Sequence, residues 1–110
     1  MMAKILKMQE QGTKFDNDKP QMDLLPFDTL EEVAKVLTFG ARKYAPYNWA
    51  KGMKYSRLIA ACLRHFFKWC KGDEHDPETG LSHLHHAICC LMFLSEYQRM
   101  NVGEDDRFKK

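Results

Sequence analysis

Several familiar signals are missing from this chain of 110 residues. Its four cysteines, Cys62, Cys70, Cys89 and Cys90, form no C-x-x-C pair. They fall within apolar helical patterns, where free cysteine packs as a small hydrophobe. With no signal-peptide pattern at the start, this cysteine usage predicts a reducing, cytoplasmic location. The longest apolar run, Ala87 to Leu94, is too short to cross a bilayer, so no membrane partner is expected. A formal net charge of +2 is too small to argue for nucleic acid. Phosphate-bearing small molecules need only a local basic patch. No internal repeat is evident, and no segment alternates as a strand does.

What remains is helical patterning. The length is that of one domain, 1–110, and 45% of residues are hydrophobic. Residues 1–11 read as a polar N-terminal arm, and Gly12 to Pro26 as an ordered loop rich in turn formers. A first helix starts near Asp28, with Asp28 and Glu31 at capping-box spacing. Leu30, Val33, Ala34, Leu37 and Ala41 make its core stripe. Glu32, Val36, Phe39 and Lys43 share a second face, which sets Glu32 among apolar groups. A second helix runs from about Ser56, its N-cap, to Lys71, with Gly72 as the C′ residue. A third runs from about Leu81 to Met100. It is apolar nearly all round between Ala87 and Leu94, which needs more cover than two partner helices supply. That predicts an oligomer whose core includes the third helix. Gly103 to Lys110 reads as a flexible tail. The fold class is therefore all-α, a small bundle of three or more main helices in a homo-oligomer.

The densest chemistry lies between the second and third helices, in Asp73 to His86, DEHDPETGLSHLHH. Five of its first six side chains ionise: Asp73, Glu74, His75, Asp76 and Glu78. His83 and His86 follow at i,i+3 on one helix face, while His85 points to the far side and reads as a surface residue. Carboxylates and imidazoles bind divalent metals. Asp76-Pro77 also fits an N-cap followed by proline at the first helical position, so a solvated capping turn is the bland alternative. A helical His75-Asp76 metal pair is excluded by Pro77, which breaks the helix there.

Three further groups deserve weighing. Arg57, Arg64, Lys68 and Lys71 line one helix face. Such a stripe is commonly solvation, but the planar guanidinium suits phosphate, which favours Arg64 with its neighbour His65. Lys43, Tyr44, Asn48 and Trp49 combine a cation, aromatics and an amide, a set suited to holding a base. Lys14, Asp16 and Lys19 sit beside Phe15 and Pro20 in the first loop. Packing alone would explain either loop.

Three stretches together carry a resemblance: GTKFDNDKPQMDLLP, LEEVAKVLTFGARKYAPYNW and LRHFFKWCKGDEHDPETGLSHLHHAICCLMFL. Their order is similar to that of the phage-encoded dATP/dGTP diphosphohydrolases of the MazZ type, within the MazG-like all-α nucleotide pyrophosphohydrolases. The resemblance covers about Gly12 to Tyr97. It implies a helical bundle assembled as a homodimer or homotetramer. It also implies Mg²⁺- or Mn²⁺-dependent cleavage of a purine dNTP to monophosphate and pyrophosphate, adjusting the phage dNTP pool and feeding modified-purine DNA synthesis. The superfamily's E-x-x-E is met at Glu32 but not three residues on, where Lys35 stands, though Glu31 is adjacent. Its second acidic motif would fall on His83 and His86. On this footing Glu32, Glu74, Asp76 and Glu78 are the catalytic candidates, and Glu31, His83 and His86 join them as metal candidates. Lys14, Asp16, Lys19, Lys43, Tyr44, Asn48, Trp49, Arg64 and His65 are the substrate-binding candidates. The departures from the acidic motifs motivate an alternative, a non-catalytic nucleotide- or metal-binding regulator.

Overall fold

The computed structural model describes residues 11–109. The predicted N-terminal arm therefore lies, apart from Gln11, outside the described residues. Among these, the chain forms three α-helices: α1 (Phe27–Lys43), α2 (Tyr55–Cys70) and α3 (His83–Met100). Short 3-10 turns occupy Met22–Leu24 and Asn48–Lys51. Two isolated bridges, Lys54 with Glu104 and His75 with Ser82, are the extended pairings present among the described residues. No described helix is long and apolar enough to cross a membrane.

α3 is the central element. It packs most extensively on α2 and then on α1. The buried set is Val33 from α1, Leu58 from α2, and His83, Ala87, Cys89, Cys90 and Tyr97 from α3. Large apolar side chains elsewhere are exposed, including Leu63, Phe66 and Phe67 on α2 and Leu91 and Met92 on α3. The apolar face of α3 is thus partly uncovered within one chain.

Helix ends differ in detail from the sequence reading, for local reasons. α1 is entered from Pro26, which offers no side-chain cap. Asp28 lies inside the first turn, where its charge still favours the helix N-terminus. α2 begins at Tyr55, so Ser56 sits within it, and its N–H and Oγ donate to Asp106 at 2.8 and 2.5 Å. α3 begins later than Leu81, because Ser82 takes the cap, its hydroxyl accepting from the Leu84 N–H at 3.1 Å.

The segment after α3 turns back along the chain. Asn101 adopts the left-handed conformation with φ 57°. The Tyr55 N–H donates to the Glu104 carbonyl at 2.9 Å. Gly103 has φ 80°, and a Cβ there would stand 2.6 Å from the Met53 carbonyl oxygen and 2.9 Å from Cδ2 of Tyr97. Only glycine allows that approach. Residues 103–106, read from sequence as part of a flexible tail, are thereby held against the start of α2.

Candidate active site

An open cavity of about 700 Å³ lies among the described residues. Its walls come from four places. The Val36, Phe39, Gly40 and Lys43 side of α1 forms one. The Tyr44–Trp49 connection forms the second, Arg64 and His65 of α2 the third. The fourth combines Asp76, Glu78 and Thr79 with His86, Cys89, Cys90 and Phe93 of α3.

The aromatic connection is fixed from below. Trp49 stacks on Phe93 with centroids 5.2 Å apart and planes 8° from parallel. The hydroxyl of Tyr97, a residue with no exposed surface, donates to the Trp49 carbonyl. Tyr47 takes a left-handed backbone, φ 60°, which turns the chain sharply into the 3-10 turn. Across the opening, Lys43 Nζ donates to Glu78 Oε1 at 2.6 Å and lies 5.4 Å from the Tyr44 ring centroid. That carboxylate raises the Lys43 pKa.

The acidic junction is a folded loop and not a helix start. The Asp76 N–H donates to the Leu81 carbonyl and the Gly80 N–H to the Asp76 carbonyl, each at 2.8 Å. Asp76 Oδ2 accepts from the N–H groups of Glu78 and Thr79 at 3.1 and 3.0 Å, and from Thr79 Oγ1 at 3.3 Å. Burial pushes the Asp76 pKa up, but these donors and the neighbouring His86 outweigh it and hold the group lowered and ionised. Pro77 suits this turn because it has no N–H to pair and disfavours a helical residue before it.

Behind Asp76 lies a stack of imidazoles. His65 and His86 are parallel within 10°, centroids 4.5 Å apart. His65 Nδ1 and His83 Nδ1 are 2.8 Å apart. His86 Nε2 meets Thr79 Oγ1 at 2.8 Å. Burial lowers the His65 pKa to about 4, with His86 and His83 adding to the effect. Burial likewise lowers that of His86. Both rings are neutral at physiological pH, as ligands and bases must be.

Ligand atoms of His65, Asp76 and His83 lie within 4.8 Å of one another. Such a mixed nitrogen–oxygen set suits Mn²⁺ or Zn²⁺ better than Mg²⁺. Asp76 and Glu78 at the cavity offer the oxygen ligands that Mg²⁺ or Mn²⁺ accepts together with phosphate oxygens. The donor chemistry therefore fits a divalent ion.

Nine of the residues singled out from sequence line this one cavity: Lys43, Tyr44, Asn48, Trp49, Arg64, His65, Asp76, Glu78 and His86. Others do not line it. Lys14, Asp16 and Lys19 are exposed in the first loop. Glu31 is exposed on α1, and Glu74 contributes its backbone carbonyl, which accepts from the His83 N–H at 2.9 Å. Glu32 lies one turn from Val36 on the same α1 face, and its carboxylate holds Lys35 Nζ at 2.6 Å. His83 stands behind the cavity, fully buried. His85, read as a surface residue, is half-buried with an enclosed and unpartnered Nδ1. Thr79, Phe93 and the buried Cys89 and Cys90 were not singled out. Thr79-Gly80 inside the ionisable stretch was the one available signal, since a hydroxyl there can close a turn.

The comparisons with known proteins bear on the same span. The sequence profile of a family described as dATP/dGTP diphosphohydrolase, N-terminal, matches residues 9–107. A dATP/dGTP diphosphohydrolase of Salmonella phage PMBT28 is 42% identical over 96 residues, covering 87% of this chain and 33% of the relative. The chain thus spans about a third of that relative's length. No solved structure matches.

Proposed function

This chain belongs to the dATP/dGTP diphosphohydrolase N-terminal family, and from that premise we propose that it cleaves purine deoxynucleoside triphosphates to monophosphate and pyrophosphate. The observation that carries the reading is the convergence, on one cavity of about 700 Å³, of two cations, two carboxylates and an aromatic–amide wall. A volume in this range accommodates a drug-sized ligand, which is the scale of a nucleotide.

In this reading Trp49, Tyr44 and Asn48 receive the base by stacking and hydrogen bonding. Lys43 and Arg64 neutralise the phosphates, the guanidinium by its fork of donors. Lys43 exchanges its Glu78 partner for phosphate when the nucleotide enters. That frees Glu78 to join Asp76 as a carboxylate for Mg²⁺ or Mn²⁺. When bound, such an ion lowers the pKa of water and offsets the charge of the triphosphate. Asp76 is held ionised and oriented by its three donors, and His65 offers a neutral imidazole beside it. His86 and His83 support these groups from behind. In this reading Glu32, Glu31 and Glu74, which do not line the cavity of one chain, contribute only where a second copy completes the site. A homodimer or homotetramer would also cover Leu91 and Met92. In a phage-infected cytoplasm the activity adjusts the dNTP pool.

The test is direct. The purified protein is incubated with each dNTP and NTP, with Mg²⁺ or Mn²⁺, and products are separated by anion exchange. Monophosphate plus pyrophosphate from dATP or dGTP is the expected result. Asp76→Asn should lower kcat by at least about a hundredfold with an unchanged far-ultraviolet spectrum. Lys43→Met should raise KM by about tenfold, as loss of one charge-assisted phosphate contact does. Tight nucleotide binding without product would support the non-catalytic regulator instead.

A further inference from the structure

We infer that Asp106 is a positioning residue: from a strap formed by residues 101–106 it caps α2 and, through that cap, holds the Trp49–Tyr55 wall of the cavity in place to receive a base. The inference rests on the proposed activity for its effect on nucleotide binding, but not for the clamp itself.

α2 has no local cap. Lys54 stands at its N-cap position and makes no side-chain hydrogen bond to the helix, although the first N–H groups of a helix need acceptors from outside it. The strap supplies them. The Ser56 N–H donates to Asp106 Oδ1 at 2.8 Å and the Ser56 hydroxyl to Asp106 Oδ2 at 2.5 Å. The Tyr55 N–H donates to the Glu104 carbonyl. The Ser56 donors hold the Asp106 pKa below its ordinary value, and the ionised group is favoured at this end of the helix dipole.

The strap also grips the turn that precedes α2. The Val102 N–H donates to the Tyr97 carbonyl at 3.0 Å and the Glu104 N–H to the Met53 carbonyl at 3.3 Å. A Cβ on Gly52 would stand 3.0 Å from the Gly103 nitrogen and 3.1 Å from Val102 Cγ1, so the two backbones touch. That turn is the back of the cavity wall. Met53 lines the cavity beside Trp49, and the Trp49 carbonyl accepts from the Gly52 N–H at 3.2 Å as well as from the Tyr97 hydroxyl. Residues 49–56 are thus pinned by α3 on one side and by the strap on the other. Asp106 fastens the end of the strap, because its carboxylate makes both bonds to Ser56. Arg64 and His65 lie more than two turns further along α2, and Asp76 and Glu78 stand on another wall. Loosening the strap therefore disturbs the base wall and spares the phosphate end.

The test uses the full chain carrying Trp69→Phe, which leaves Trp49 as the one tryptophan. In that background Asp106→Ala should speed hydrogen exchange of the Tyr55 amide by roughly tenfold or more. That amide is bonded to the Glu104 backbone and not to Asp106, so its exchange reports release of the strap. Trp49 emission should shift. KM for dATP and dGTP should rise roughly fivefold, the effect of one lost cap on an equilibrium, with kcat within about twofold. Asp106→Asn should restore all of these, since its Oδ1 accepts from the Ser56 N–H and its amide donates to the Ser56 hydroxyl. Gly103→Ala should act as Asp106→Ala does, because its Cβ would meet the Met53 carbonyl oxygen at 2.6 Å. A Tyr55 amide unmoved by Asp106→Ala would overturn the inference. So would a released strap with Trp49 emission and KM unchanged, which is the mark of a cap that only stabilises, or a loss confined to kcat. If the protein without the Asp106 change hydrolyses no dNTP, the proposed function fails, while amide exchange and Trp49 emission still decide whether the strap holds the wall.

Discussion

Replacing Thr79 by valine removes one oxygen and almost no volume, yet that oxygen ties three elements together. It donates to Asp76 Oδ2 at 3.3 Å, meets His86 Nε2 at 2.8 Å and accepts from the Leu81 N–H at 3.1 Å. Because the hydroxyl proton goes to Asp76, the His86 contact is a donation from Nε2–H. A net hydrogen bond contributes about 1 kcal/mol, and a stranded buried donor costs about 1–3 kcal/mol. The 3.3 Å bond is the weakest of the three, while the half-buried His86 N–H loses its partner outright. The sum is about 2–3 kcal/mol. For a domain of this size that corresponds to a melting point lower by roughly 10 °C. Thermal denaturation followed by circular dichroism measures it, with Thr79→Ser as control, since serine keeps all three contacts and should melt within about 3 °C of wild type. The same pair separates stability from activity when turnover is measured well below both melting points. There Thr79→Val should still lose activity, because Asp76 is released on one side and His86 is free to rotate. A Thr79→Val protein that melts with the wild type would refute the reasoning, because the hydroxyl would then not be the tie that these distances imply.

Acid should weaken the fold before it protonates most carboxylates. The pKa of His65 is depressed to about 4 from an ordinary value near 6.5, so below 6.5 the unfolded chain takes up a proton that the folded chain refuses. Stability is therefore full above about pH 6.5 and falls as pH drops towards 4. Urea titrations across that range should show it, and His65→Gln should flatten the slope. Tyr97→Phe should cost about 1–2 kcal/mol by leaving the Trp49 carbonyl unpaired. It should also change Trp49 fluorescence, as the Trp49–Phe93 stack loosens.

The first helix could be read from its apolar stripe and the third from a run that is apolar nearly all round. Of the predicted stripe on α1, Val33 is buried, whereas Leu30 and Ala34 are exposed, because α1 packs chiefly on α3 over a narrow strip; Ala87 in the apolar run of α3 is buried. The face of α1 that seemed odd, with Val36, Phe39 and Lys43, turns out to be a wall of the cavity. What sequence could not give was contact at long range. Ser56 looked like a cap because serine commonly is one, and its true partner, Asp106, lies fifty residues later. Asp76-Pro77 looked like a helix start because both residues favour one. The turn closed by Thr79 and the cap supplied by Ser82 fit the same residue types. His83 and His86 share a helix face, yet one is sealed behind the cavity and the other lines it. Spacing alone cannot order two rings by depth when α2 supplies the covering residue, His65.

The buried thiols have a practical side. Cys89 and Cys90 have pKa values pushed up to about 12 and about 11, by burial first, and burial also raises that of Cys62, whose Sγ donates to the Ala87 carbonyl. Cys70 is exposed. At neutral pH a maleimide dye would therefore modify Cys70 long before the other three. That gives a single-site fluorescent handle at the end of α2 without mutagenesis, and slower labelling of Cys90 becomes a clock for how often the cavity floor opens.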